Sequence, residues 1–318
     1  MKLLYDPVFL EHNTGMHPEN RKRLEAFDDL PITPAPNGEE YLELIHTKEY
    51  IEKVKQSCAH GLHLDNDTAT SVGSYEAAIR AVGATIQAVE NGDFALARPP
   101  GHHAYPDKAS GFCLFNNVAI AAEYLARQGK KVLICDFDGH LGDGTSHIFY
   151  ESKQVMYWSL HQFPAFPGHG WTNEIGKGEG RGYTLMGPLP PGSGDDIFLN
   201  AFMSFLPVAE QFEPDVVAVS AGFDAHQYDL LLELRTTTNT YYRIGKLLRE
   251  RFPHIFATLE GGYNVEELPK CVESFLSGIN DQPAPHQERE TDSTMQTWQT
   301  YELNIQGAVL QLRQFWKI

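Results

Sequence analysis

The chain has 318 residues, 42% of them hydrophobic, and a formal net charge of -17 at pH 7. With a pI near 5.2 it is a poor electrostatic partner for nucleic acid or an anionic membrane surface. Length and apolar content suit one large core, and the scattered Cys58, Cys113, Cys135 and Cys271 form no Cys-x-x-Cys pair. That sets aside a disulfide framework or zinc ribbon and fits a reduced, cytoplasmic setting.

A short strand over residues 2–5 opens the chain, before a loop with His17-Pro18 and a basic helix start at Arg21, Lys22 and Arg23. The N-terminus meets charge and proline too early for a signal peptide, and no apolar stretch is long enough to span a bilayer. Helices are predicted over 49–57 and 74–90, the second from Ala77, Ala81, Ala84, Ile86 and Val89 with an Asn91-Gly92 stop. A strand at 94–97 leads into Arg98-Pro-Pro-Gly-His-His103, and an Ala-rich helix at 117–127 precedes the apolar strand 131–135. Further strands are expected at 155–160, 216–220 and 254–259. Strands separated by helices imply parallel pairing with helices on both faces, hence an α/β fold. Residues 160–195, rich in Gly, Pro and aromatics, read as a long loop that shapes a site. The polar segment 281–292 reads as a surface linker, and Met295, Trp298, Ile305, Val309, Leu312 and Trp316 predict a last helix closing on a catalytic domain of residues 1–280.

The chemistry concentrates where apolar strands end. In Asp136-Phe-Asp138-Gly-His140 alternate side chains on a strand would share a face, and burying two carboxylates without a cation is costly. Asp224, at the end of another strand, completes a three-ligand set, Asp138, His140 and Asp224, with an open position suited to catalytic zinc; two oxygens and one nitrogen also suit iron(II). His102 and His103 supply imidazoles for proton transfer, and Tyr263, behind two glycines, supplies a phenol for an oxyanion.

Five separated strings in one order carry a resemblance: Arg98 to His103, Gly111-Phe112-Cys113 with Asn116-Asn117, Asp136 to Gly144, Ser220 to His226, and Glu260 to Asn264. Over about residues 17–277 the chain resembles the zinc-dependent histone deacetylase family, which includes acetylpolyamine amidohydrolases and acetoin-utilisation proteins. The resemblance implies a single-domain, three-layer arginase-like α/β fold and removal of an acetyl or longer acyl group from a lysine-like amine or an acylated polyamine. It implies zinc on Asp138, His140 and Asp224, and His103 as general base and acid beside His102. Asp136 would orient His102 and Asp143 would orient His103, with Tyr263 at the oxyanion. Gly111, Phe112 and Phe166 match the substrate tunnel, Asp67 the rim acid and Arg23 an internal channel. A structural potassium is implied at Asp136, Asp138, His140, Ser159 and Leu160, with Phe149, Ser152, Val155 and Tyr183 as a weaker second site.

Two positions depart from the family pattern. Leu141 stands where a second histidine is usual, which raises the prospect of a longer acyl group. Leu231 stands where polyamine-preferring members place a carboxylate, which weakens a polyamine reading. An arginase-like dimanganese ureohydrolase would need Asp-x-His-x-Asp, which the chain lacks. A silent acyl-lysine binder would have no need of the full catalytic set.

Overall fold

A computed structural model describes residues 1–318. In chain order its elements are β1 (Leu3–Leu4), α1 (Lys22–Glu25), α2 (Lys48–His60), α3 (Ser74–Asn91), β2 (Phe94–Ala95), α4 (Asn117–Ala126), β3 (Val132–Asp136) and α5 (Asp143–Phe149). They continue as β4 (Val155–Gln162), β5 (Thr184–Leu189), α6 (Asp195–Phe212), β6 (Val216–Ala221), α7 (Thr238–Arg251), β7 (Ile255–Leu259), α8 (Leu268–Ile279) and α9 (Met295–Leu312). No helix is long and apolar enough to cross a membrane.

The seven strands form one all-parallel sheet in the order β1-β2-β7-β6-β3-β4-β5. Every residue of β3, β4 and β7 is buried, as expected of strands covered on both faces. Helices α3, α4 and α5 pack in succession along one side, while α6 packs on α7, α7 on α8, and α9 on both α6 and β5. From β3 the chain runs outward to β5 and returns to β6 on the other side of β3. The loops after β3 and β6 therefore flank the point where strand order reverses, the crevice in which open α/β sheets bind ligands. Beneath it Phe137, Phe223, Tyr241 and Phe275 form one aromatic cluster, with ring centroids 5.0–6.5 Å apart.

The structure revises several expectations. Residues 160–195 are not one long loop: β4 runs on to Gln162, and β5 (Thr184–Leu189) occupies the later part of the segment. Gly187 and Pro188 disguise β5, yet both are tolerated because β5 is the last strand of the sheet, where a missing N–H breaks no ladder. Helices α5, α6, α7 and α8 were not anticipated, although α6 buries Ile197, Phe198, Ala201, Phe202, Phe205 and Ala209 at helical spacing.

The segment 281–292 does more than link. Asp195, in the first turn of α6, is buried and accepts hydrogen bonds from the backbone of Thr237 at 2.8 Å and of Thr291 at 2.9 Å, and from the Thr240 hydroxyl at 2.5 Å. One carboxylate thus joins α6, the start of α7 and the C-terminal segment. Asp195→Ala would strand these buried donors. We expect a loss of about 3 kcal/mol in urea unfolding, with Asp195→Asn losing less.

Candidate active site

Strand β3 ends at Asp136, so Asp138 and His140 do not share a strand face as their alternation had implied. They lie in the following turn, which folds back on its own carboxylates: the Asp138 amide donates to Asp136 Oδ1 at 3.2 Å and the His140 amide to Asp138 Oδ1 at 2.9 Å. The loop after β6 brings in Asp224, whose Oδ1 accepts the Gly139 amide at 2.6 Å. His140 Nδ1 then lies 2.7 Å from Asp224 Oδ2 and 3.4 Å from Asp138 Oδ1. All three residues are buried, and their potential ligand atoms lie within 4.8 Å of one another.

The charge balance of this cluster fits a cation. Burial and the neighbouring Asp138 push the Asp224 carboxyl up to about 7. Burial also disfavours the Asp138 anion, but His102 and His140 outweigh it and hold that carboxyl below its usual range. Two dry carboxylates that repel each other across one imidazole make a donor set that a divalent ion satisfies, and this oxygen and nitrogen chemistry suits zinc.

Two histidines stand beside the cluster in different surroundings. His103 Nδ1 lies 2.6 Å from Asp143 Oδ1, and Asp143 Oδ2 also accepts the Tyr105 hydroxyl at 3.0 Å. Burial and the adjacent His102 push His103 down to about 4, against the pull of Asp143. His102 Nδ1 lies 3.2 Å from Asp136 Oδ2, which also accepts the Tyr157 hydroxyl at 2.9 Å. Burial opposes charge on His102, yet Asp138, Asp136 and Glu260 together raise it well above its ordinary value.

A cavity of about 230 Å³ opens onto this chemistry, lined by Asp67, His103, Gly111, Phe112, His140, Phe166, Leu231 and Tyr263. The Phe166 ring packs edge-on to His103 at 5.1 Å and the Phe112 ring edge-on to Tyr263 at 5.7 Å. Phe112 adopts a φ of 70°, and a Cβ on the preceding Gly111 would press into the His103 ring, so this turn is shaped tightly around the histidine. Ser159 and Leu160 are buried on β4, where Ser159 pairs in register with Asp136. Leu141 is fully buried beside Gly170 and His161. A larger open groove of about 870 Å³ lies at the other end of the sheet, against Val216 and Ile255, away from the convergent titratable groups.

Three acids were given no role by the sequence reading. Glu260 is buried and accepts from the Gly101 amide at 2.7 Å, the His102 amide at 3.0 Å and the Ser220 hydroxyl at 2.8 Å. Its place after an apolar strand, like that of Asp136, was the available signal. Glu19 pairs with Arg98 and lies 3.1 Å from Arg23 Nη1, while Arg23 Nε donates to the Gly262 carbonyl at 2.7 Å and its guanidinium lies 5.0 Å from the Tyr263 ring centre. Asp229 Oδ2 accepts the amides of Tyr263 at 2.6 Å and Asn264 at 3.1 Å. Nothing local in the sequence marks Asp229.

A parallel α/β sheet with a buried Asp-His-Asp cluster at its switch point defines a metal-dependent hydrolase class. Within that class the chain belongs to the histone deacetylase domain family, whose model matches residues 10–279. It is 35% identical over 317 residues to "Histone deacetylase 10, chloroplastic" of Oryza sativa subsp. japonica, covering 86% of this chain and 72% of that protein. It is 37% identical over 292 residues to a "Probable deacetylase" of Archaeoglobus fulgidus, covering 83% and 81%. A "Histone deacetylase-like amidohydrolase" of Pseudomonas aeruginosa is 34% identical over 290 residues, covering 82% and 76%. The crystal structure of the HDA15 HD domain superposes with a TM-score of 0.89 at 30% identity, covering 99% of this chain and 94% of that one. The protein is a hydrolase of the deacetylase type.

Gly222, just after β6, tests the metal cluster without replacing a ligand. A Cβ there would overlap the Asp138 carboxylate. Gly222→Ala is therefore expected to lower bound zinc at least about tenfold, measured by elemental analysis after dialysis, while circular dichroism stays that of the wild type.

Proposed function

We propose that this deacetylase removes an acetyl or longer acyl group from a lysine-like primary amine. The carrying observation is the cavity that runs between Phe112 and Phe166 and ends on His103, His140 and Tyr263. Its two aromatic walls suit a methylene chain, and its inner groups suit an amide. Asp67, exposed at the rim, offers a carboxylate to the substrate backbone. Leu231 adds an apolar surface in place of an acid, which favours a lysine side chain over a polyamine.

When bound by Asp138, His140 and Asp224, zinc, or iron(II) on the same donors, supplies Lewis acidity at the acyl carbonyl and lowers the pKa of the attacking water. His103 is the general base: it is neutral at pH 7, and Asp143 engages Nδ1, leaving Nε2 to take the proton of the water. The resulting imidazolium then protonates the departing amine. His102, held by Asp136, sets the charge beside His103. Tyr263 donates its hydroxyl to the carbonyl oxygen. Burial and Asp224 raise its pKa well above the ordinary value, against the opposing charge of Arg23, so the proton stays in place at neutral pH.

We place structural potassium at Asp136, Asp138, His140, Ser159 and Leu160. The support is that all five are buried and that β3 and β4 set Asp136 beside Ser159. The four cysteines are buried and unpaired, which supports a reducing, cytoplasmic setting. Leu141 replaces a polar neighbour of the cluster with an alkyl group, and longer acyl chains belong in the substrate panel for that reason.

Zinc-loaded protein should hydrolyse acyl-lysine peptides faster than N-acetylated polyamines. Tyr263→Phe and His103→Ala should each lower kcat by about 10²–10⁴-fold with zinc content unchanged. Chelation should abolish turnover, and added zinc should restore it. Full activity in either variant would sink the assigned roles, and a higher kcat/KM on polyamines would redirect the substrate reading.

A further inference from the structure

The family match ends at residue 279, yet the chain continues and returns to the active-site loops. The Glu288 carboxylate is the point of return. Its Oε2 accepts the Thr238 amide at 2.7 Å and lies 3.0 Å from His226 Nε2, and its Oε1 accepts the Gln227 side chain at 3.3 Å. The Glu288 carbonyl accepts Asn239 Nδ2 at 2.8 Å. Beyond Glu288 the segment is anchored again, by Thr291 on Asp195, and by the Ser293 amide at 3.0 Å and Trp298 Nε1 at 2.7 Å on Asp196.

His226 and Gln227 follow the metal-cluster residue Asp224 by two and three positions. Their loop ends at Asp229, which holds the backbone amide of Tyr263. Ala225 and His226 are buried, but Tyr228 in this loop and Leu230 just after it are 56% and 71% exposed, so apolar burial does little to fix its outer part. Hydrogen bonds must: the backbone joins Gln227 N to Thr236 O at 2.8 Å and Thr236 N to Ala225 O at 3.0 Å, and Glu288 adds the side-chain bonds at that end.

We propose that Glu288 is a positioning residue for the deacylation: it clasps the 224–229 loop through His226 and Gln227, so that Asp229 keeps Tyr263 aimed into the cavity. The inference rests on the role of Tyr263 given above. The alternative, a second metal site, has some geometry behind it, since His226, Glu267 and Glu288 place three potential ligand atoms within 4.8 Å of one another. Those acids already have partners, however. Lys270 Nζ lies 2.9 Å from Glu267 Oε1, and the Thr238 amide and His226 share Glu288 Oε2. A lysine and an imidazole therefore answer the two carboxylates without an ion.

The test compares zinc-loaded, full-length wild type with E288A and E288Q by steady-state kinetics, zinc content and hydrogen exchange. E288A should lower kcat about tenfold with KM within about twofold, because the loosened group acts mainly in the transition state. Amide exchange over residues 225–231 should quicken, and zinc should stay at one per chain. E288Q keeps an oxygen that can accept from Thr238 and His226, and should restore most of the rate and protection. Wild-type kcat in E288A, or equal losses in E288A and E288Q, would overturn the clasp. So would a second zinc bound by the wild type and absent from E288A. If the wild type itself shows no turnover, the functional reading fails instead, and exchange still reports on the clasp by itself.

Discussion

Burial of carboxylates is the constraint on which the rest of this structure depends. Glu19, Asp136, Asp138, Asp224 and Glu260 are all buried to within 1% of full exclusion from solvent. Each must replace water with fixed donors or counter-charges, because an ionised carboxylate in a dry interior is costly. The compensation is local and specific. Glu19 takes Arg98 and Arg23, Asp136 takes His102 and Tyr157, and Glu260 takes two backbone amides and a serine. Asp138 and Asp224 share His140 and three backbone amides, from His140, Gly139 and Gly261, and still repel each other. They are the two acids left with a demand that a cation would meet.

Backbone amides do much of this work, which explains why glycine recurs at the loaded strand ends. Gly139 and Gly261 each give an N–H to a metal-cluster carboxylate, and Gly101 gives one to Glu260. A Cβ on Gly139, Gly222 or Gly261 would collide with Asp138 or Asp224. Such turns hold acids in place without side-chain entropy, since the donors belong to a backbone already fixed by the parallel ladder. The site is consequently built on strand ends and tight turns, where small displacements of the supporting shell are resisted.

Those features were legible in the sequence because they are written locally. Apolar runs ending in Asp136, Ser220-Ala-Gly-Phe-Asp224 and Glu260-Gly-Gly-Tyr263 announce both the strand and its chemistry. Of the residues of the 230 Å³ cavity, His103, Gly111, Phe112, His140 and Tyr263 lie in such strings, whereas Asp67, Phe166 and Leu231 were named only through the family resemblance, and only the fold brings them to one mouth. What stayed hidden depends on distant partners. Edge strand β5 contains glycine and proline and is a strand because β4 and α9 accept it. Helix α7 opens on Thr237-Thr238-Asn-Thr240 and sets Thr237 and Thr240 against Asp195 from another helix, so its polarity masked its amphipathic face. Asp229 and Glu288 carry no motif; their meaning lies in amides and side chains 35 and 62 positions away. Sequence patterns record periodicity and local turns well, and record loop-to-loop bonds hardly at all.

The contrast between the two adjacent histidines follows from the same constraint. They share a turn, their ring centroids are 4.0 Å apart, and both face a carboxylate. His102 looks into the carboxylate-rich interior, where three acids favour its charge, and it does not line the cavity. His103 lines the cavity, and its partner Asp143 is shared with Tyr105 and helped by no second acid strong enough to offset the charge next door. Burial, with the charge favoured on His102 beside it, holds His103 below its ordinary value, and His103 is the imidazole that faces the cavity. The two identical side chains thus differ because of which of them the buried acids surround.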